Sequence, residues 1–213
     1  MKILDVRSLA IPEVKVIRFA RFADHRGFFS EPFRRSDIDQ HPDLGELSRL
    51  PIVQANESFS KPHVLRGLHF QWNPFMGKLV RTTSGHMVDL VVDIRLGSPT
   101  LGKGLMHDMP GSKDADASEW IWVPPGFAHG NFFLTETLIE YFCTGEYSPG
   151  CEAGITPVAN DIDWDLSPAE PWAWFTALTG GSRLLLSDKD RGALTLSAWL
   201  AGPSATEFVY GTV

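Results

Sequence analysis

Cysteine is scarce in this 213-residue chain: Cys143 and Cys151 form neither a Cys-x-x-Cys pair nor a Cys/His cluster. A disulfide framework and a zinc finger are therefore not indicated, both thiols read as packing groups, and a reducing cytoplasm is the simplest compartment. Long apolar runs are missing too. No stretch approaches the ~18 residues of a membrane span, and the opening Met-Lys-Ile-Leu-Asp-Val-Arg interrupts its hydrophobicity with charge at once, so neither a spanning helix nor an export signal is expected. Basic residues are outnumbered, 19 Lys and Arg against 26 Asp and Glu. The net charge of −7 argues against general attraction to nucleic acid or an anionic membrane, while leaving room for a local basic pocket. Helical periodicity is thin: segment 36–50 holds about two turns, interrupted near Pro42, and 191–200 one more short helix.

What the chain does have is punctuation. Its 19 glycines and 15 prolines are scattered between short apolar runs, and 43% of the residues are hydrophobic, enough for one globular domain over 1–213. This pattern predicts an all-β sandwich or barrel with strands near 14–19, 27–33, 53–59, 64–71, 78–83, 86–95, 104–107, 120–123, 130–134 and 138–147. In the clearest, Val88, Leu90, Val92 and Ile94 share one face, expected to be core, and Met87, Asp89, Val91 and Asp93 share the other. Ser84-Gly85 reads as a hairpin turn, after which Lys78 would stand on a neighbouring strand beside those carboxylates. Segment 167–181, rich in Pro, Ala, Trp and Gly, reads as a long loop.

Trp122-Val-Pro-Pro-Gly-Phe-Ala-His129-Gly resembles the second cupin box, in which Pro-x-Gly-x-x-His aims a histidine into a barrel. A metal cupin also needs a first box with two histidines and a glutamate. Leu65-Arg66-Gly67-Leu68-His69-Phe70-Gln71 offers one histidine, with Lys78 and Arg81 following where an acid would be expected. A catalytic metal requires several neutral or anionic ligands, and an ammonium group competes for the same space. The chain therefore reads as a metal-free cupin jelly roll with short peripheral helices. Its cavity would hold His69, His129, Lys78 and Arg66, which suits an anionic, carbonyl-bearing ligand.

An ordered set of motifs then becomes specific. It runs from Phe22-Ala-Asp-His-Arg26-Gly-Phe-Phe-Ser-Glu31 through Gln54-Ala-Asn56, Val64-Leu-Arg-Gly-Leu-His69-Phe-Gln and Gly77-Lys78-Leu-Val-Arg. It continues with Asp89-Leu-Val-Val-Asp-Ile-Arg95, Pro125-Gly-Phe-Ala-His129-Gly, Tyr141-Phe-Cys-Thr-Gly-Glu-Tyr147-Ser-Pro and Leu186-Ser-Asp-Lys-Asp190. Over about residues 15–190 the chain resembles the dTDP-4-dehydrorhamnose 3,5-epimerases, which act on dTDP-4-keto-6-deoxyglucose.

The resemblance implies an isomerase that moves protons at carbons flanking a ketone, with no redox cofactor and no metal. Such chemistry needs a base on one sugar face, an acid on the other and a cation for the enolate oxygen. By resemblance His69 is the base, Asp190 its partner, Lys78 the cation at the C4 oxygen and Tyr141 the acid. Arg26, Arg66 and Lys189 would meet the diphosphate or nearby sugar groups. Glu31, Gln54, Asn56, His129 and Glu152 would supply polar contacts, Tyr147 would stack on thymine, and Asp89 would support His129. The family also implies a homodimer with exchanged N-terminal strands, Arg26 and Glu31 coming from the neighbouring subunit.

Plainer roles remain open. Tyr141 could pack a sheet face, Tyr147 could be a loop aromatic, Arg26 could cap a hairpin and Lys189 could be a solvated charge. Asp188 competes with Asp190 for His69. The remaining histidines, His25, His41, His63, His86 and His107, read as structural or surface groups. The chain also departs from the family: Ala159-Asn-Asp-Ile-Asp-Trp164-Asp-Leu lacks the usual proline markers, and an insertion at about 165–184 is expected over the cavity mouth or at a dimer contact. C3-only or C5-only epimerisation, on a related dTDP- or GDP-linked keto sugar, is the nearest alternative activity. A non-catalytic sugar-nucleotide binder and a metal oxygenase using His69 and His129 stand further off.

Overall fold

The computed structural model describes residues 1–111 and 116–213. Among the described residues there are thirteen strands, of which eleven are joined around one, β7 (Lys78–Asp93). Over its first half β7 lies between β9 (Ala117–Val123) and β11 (Thr137–Cys143), and over its second half between β8 (Gly104–Gly111) and β10 (Phe127–Phe133). Two antiparallel sheets are thereby joined through a shared strand. The first continues from β9 to β2 (Lys15–Ala20) and β1 (Ile3–Ser8), and from β11 to β5 (Gln54–Ser60). In the second, β10 pairs with β6 (Val64–Gln71), which pairs with β12 (Glu152–Gly154) and, in parallel, with β13 (Leu185–Leu186). The all-β jelly-roll expectation holds.

The hairpin expected at Ser84-Gly85 is not there; β7 runs straight through it. Gly85 does adopt a positive φ of 89°, but it uses this to bend the strand from one sheet into the other. A Cβ on Gly85 would lie 2.2 Å from the Glu136 carbonyl oxygen, so only glycine permits the approach. The Thr137 hydroxyl fills the kink by accepting from the His86 N–H at 2.9 Å. Both faces of the second half are buried. Val88, Leu90, Val92 and Ile94 pack outward against Phe70, Trp199 and Phe208, while Met87 and Val91 face the barrel interior with Ile121 and Ile139. Asp89 and Asp93 are wholly buried on that inner side, and Asp93 is held by Arg95, Ser98 and Thr100.

Strand β1 was not expected. It is an edge strand, and charges break its apolar alternation because only β2 covers it. The strand expected over 27–33 is shorter, β4 (Gly27–Phe29), and pairs with β3 (Phe22–Asp24) in a separate two-stranded hairpin. Segment 36–50 folds as expected into α1 (Arg35–Gln40) and α2 (Gly45–Arg49), separated by a 3-10 turn at Pro42–Leu44.

The stretch 167–181 is not a loop but the longest helix, α3 (Ala169–Thr179). Proline causes no conflict there: Pro168 precedes the first turn and Pro171 lies within it, where the N–H has no intrahelical partner. Phe175 anchors the helix, buried against Phe132 and Trp164 on the outside of the second sheet. Beyond β13 come α4 (Asp188–Arg191) and α5 (Leu196–Leu200), so the single helix expected over 191–200 occupies only its second half. Among the described residues no helix is long and apolar enough to cross a membrane.

Candidate active site

Between the two sheets opens a cavity of about 780 Å³. Strand alternation supplies one wall: Gln54, Asn56 and Ser58 on β5, Ile139, Tyr141 and Cys143 on β11, and Lys78 and Val80 on β7 all point inward. Across from them β6 contributes Arg66, His69 and Gln71, and β10 contributes His129 and Asn131. Strict alternation would put Arg66 and His69 on opposite faces. The register between β6 and β10 shifts between the His129/His69 and Asn131/Arg66 pairs, giving β6 one extra residue that returns both side chains to the cavity. Gly67 lies inside that bulge with φ 112°, so close to β10 that a Cβ would sit 2.6 Å from Gly130 Cα.

His69 and Asp190 meet at 2.6 Å, Nε2 to Oδ1, which decides between Asp190 and Asp188 in favour of the former. Asp190 is buried and sits in the short turn α4, where the Ser187 hydroxyl accepts from its backbone N–H at 3.1 Å. Burial alone would raise its pKa, but the bond from His69 and further bonds from Ser187 and the Gly67 N–H hold it below the usual carboxylate value. An ionised carboxylate only accepts, so Nε2 of His69 carries the hydrogen and Nδ1 keeps a free lone pair. On the neighbouring strand His129 repeats the motif, donating from Nε2 to Asp89 Oδ2 at 2.8 Å. The other oxygen of Asp89 is buried without a hydrogen-bond partner among the described residues.

Burial lowers the pKa of Lys78, against the pull of nearby Cys143, Asp89 and Glu152. Burial raises that of Tyr141, with Cys143 adding to the shift and Arg66 opposing it, so the phenol stays protonated at neutral pH. Cys143, expected as a packing residue, is buried but also lines the cavity, accepting from the Asn56 amide at 3.6 Å. At the mouth the Lys189 ammonium lies 3.0 Å from Glu152, which also accepts from the Tyr147 hydroxyl at 2.9 Å. The Tyr147 N–H in turn donates to Gln54 Oε1 at 2.9 Å, and Gln54 Nε2 to Asn56 Oδ1 at 3.1 Å. Lys189 is thus paired rather than simply solvated.

Two expected residues do not join the site within one chain. Arg26, on the β3–β4 hairpin, is exposed and paired with Asp24 at 2.7 Å. Glu31 is bound to Arg34 at 2.6 Å and to the N-terminal ammonium at 2.7 Å. Among the described residues the hairpin pairs with no strand of the main sheet, and neither side chain is among those lining the cavity. The insertion does not take the first of its two expected places, over the cavity mouth: none of residues 165–184 lines the cavity, because the apolar face of α3 is spent on the outer surface, whereas Leu185, Leu186, Ser187, Lys189 and Asp190 reach it. Missed by sequence reasoning were Ser187, Asn131 and Gln71. Period-two alternation counted from His69 along β6 and from His129 along β10 would have indicated the last two.

Among the described residues, no three His, Cys, Asp or Glu side chains gather as a metal ligand set would. The family model described as dTDP-4-dehydrorhamnose 3,5-epimerase matches residues 8–198. The enzyme of that name from Sinorhizobium fredii is 41% identical over 187 residues, 86% of this chain and 85% of its own. Its Escherichia coli namesake is 34% identical over 203 residues, 91% of this chain and 95% of the other. A crystal structure of dTDP-6-deoxy-D-glucose-3,5-epimerase from Legionella pneumophila, in complex with dTDP-4-keto-L-rhamnose, superposes with a TM-score of 0.77 at 33% identity, covering 96% of this chain and 97% of that one. A family model matched over residues 8–198, and relatives more than 30% identical along most of its length, make this chain a member of the dTDP-4-dehydrorhamnose 3,5-epimerase family.

Proposed function

We propose that this protein converts dTDP-4-keto-6-deoxyglucose to dTDP-4-keto-L-rhamnose by inverting C3 and C5. The observation that carries the reading is the 2.6 Å bond between His69 and Asp190, which leaves Nδ1 of the imidazole free as a base in a cavity shared with Lys78 and Tyr141. Nδ1 takes the proton from the carbon beside the ketone, and the C–H electron pair becomes a carbon–carbon double bond. Negative charge moves to the C4 oxygen, where Lys78 stabilises it, and Asp190 stabilises the imidazolium. Tyr141 gives its phenolic proton to the opposite face of the enolate. The ketone re-forms with inverted configuration, His69 returns its proton to solvent, Tyr141 regains one, and the cycle repeats at the second carbon. The chemistry conserves electrons and calls for no redox partner.

The nucleotide would lie at the mouth, with thymine on Tyr147 and its polar edges and diphosphate near Gln54, Asn56, Arg66, Glu152 and Lys189. His129, backed by Asp89, would contact the sugar. The reading includes a homodimer in which the β3–β4 hairpin carries Arg26 and Glu31 into the partner's site. Its support is the hairpin's separation from the main sheet and the exposure of Phe22, Phe28 and Phe29 on and around it, apolar surface that a neighbouring subunit would cover. The two free thiols suit a cytoplasmic enzyme.

The experiment is incubation with dTDP-4-keto-6-deoxyglucose in deuterated water, followed by NMR. Deuterium at both C3 and C5 is expected. Label at one carbon would make the protein a mono-epimerase, and no label with substrate bound would remove the catalytic reading.

A further inference from the structure

Gln71 lines the cavity, yet its side-chain amide is bonded to the backbone of the mouth loops. Nε2 donates to the carbonyls of Pro74 and Glu146, at 2.9 Å each, and Oε1 accepts from the Ser148 N–H at 2.9 Å. The orientation is determined by the partners, since a flipped amide would set its oxygen against two carbonyls and its nitrogen against an N–H. Both amide hydrogens are consumed, and the side chain is 4% exposed. A group committed in this way offers no donor to a ligand.

The three backbone groups it holds belong to two different loops at the mouth. Pro74 lies in the loop between β6 and β7, which carries Met76 into the cavity; Glu146 and Ser148 flank Tyr147 in the loop after β11. The loops are packed tightly, for a Cβ on Gly145 would lie 2.9 Å from Pro74 Cγ. Gln54 binds the Tyr147 N–H from the other wall while Gln71 binds that of Ser148 next to it. Tyr147 itself is exposed, with no core packing to hold it.

We propose that Gln71 is a positioning residue for nucleotide binding: it ties the two mouth loops together and so sets the pose in which Tyr147 meets the base. The assignment rests on the reading of Tyr147 as the nucleotide-stacking residue. Gln71 touches no reacting atom, and its contribution lies in affinity rather than in proton transfer.

The test uses Gln71→Met, which keeps the length and volume and removes all three bonds, with dTDP as the calorimetric probe and the keto sugar for turnover. The dissociation constant for dTDP and KM should each rise about tenfold, the scale of losing hydrogen bonds worth ~1.4 kcal/mol, with kcat within about threefold of the parent. Combined with Tyr147→Ala, Gln71→Met should add less than about twofold, because its effect passes through that ring. A fall in kcat at unchanged KM, or full multiplication of the two effects, would overturn the proposal. If Gln71→Met does not fold, Gln71→Glu, which keeps the acceptor for Ser148 and loses the donors, is read the same way. Collapse of both variants would also overturn it, by making the residue a determinant of the barrel itself. Absence of turnover in the parent would sink the epimerase reading alone, since dTDP affinity is measured separately.

Discussion

Arg66 and His69 stand on the same wall of the cavity although alternation along β6 would place them back to back. The extra residue in the β6–β10 register reconciles the two, and it fits because two glycines, Gly67 and Gly130, let the backbones approach. Replacing Gly67 with alanine sets a Cβ against backbone atoms, at a φ that L-residues rarely adopt. Denaturant unfolding should show a loss of about 2–4 kcal/mol, from overpacking and backbone strain together. A loss below about 0.5 kcal/mol would mean that the bulge relaxes freely.

Asp190→Asn should lower kcat by about 10²–10⁴-fold, since the neutral amide neither fixes the imidazole tautomer nor stabilises its cation. Asp188→Asn should stay within about twofold, its side chain having no part in the pair. There is a stability counterpart. The folded-state pKa of Asp190 is depressed, so its ionised form stabilises the protein above the unfolded-state value, and that contribution is lost as pH falls through the lower folded value. Unfolding curves recorded from neutral into acidic pH should show wild type losing its advantage over Asp190→Asn there.

Tyr141→Phe separates proton removal from inversion. His69 still abstracts, and the enolate is reprotonated on the face it left, so deuterium exchange should outlast epimerisation. The ratio of exchange to inversion by NMR should rise at least about tenfold, with inversion slowed by ~10²-fold or more. Equal losses in both would remove Tyr141 from the acid role.

The alkaline limb of kcat/KM should belong to Lys78. Burial lowers the lysine and raises the tyrosine, which moves loss of the ammonium proton, and with it of the enolate's cation, to lower pH and ionisation of the phenol to higher pH. Lys78→Arg, whose guanidinium does not titrate in this range, should carry lower activity with the alkaline limb displaced upward. An unmoved limb would assign it to another group.

Arg26→Ala and His69→Ala should complement each other if the hairpin serves a partner's cavity. Mixed dimers formed from the two variants contain one site with both native groups, so an equal mixture should recover about a quarter of wild-type activity by random pairing. No recovery above the sum of the separate variants would place Arg26 outside the neighbouring site.

Much of this was legible in the chain. The inward phases of β5 and β11 follow period-two alternation, so Asn56 and Tyr141 are found where pattern alone puts them. His69 and Asp190 meet across 121 positions of sequence, and it was the resemblance rather than periodicity that joined them. The bulge at Gly67 and the bend at Gly85 escaped because a glycine with positive φ signals a break, and whether that break is a hairpin, a bulge or a change of sheet depends on what lies opposite. Glu136 and Thr137 decide it at Gly85. Helix α3 was hidden by its prolines and tryptophans, which weaken helical propensity locally while Phe175 gains burial from the sheet behind it. For Arg26 only the resemblance offered a destination, because the β3–β4 hairpin pairs with no strand of the main sheet among the described residues.

Strand β7 belongs to both sheets, and this bears on how the molecule opens. Separating the sheets requires breaking ladders on both sides of one continuous strand, so the walls that carry Lys78 and His129 cannot part by sliding without unfolding most of the barrel. Amides in the middle of β7 should therefore exchange with solvent only through global unfolding, while those of the mouth loops exchange through local fluctuations. Entry to the cavity then falls to the loops around Tyr147 and Met76, and the spacing of the side chains on its walls is as durable as the fold.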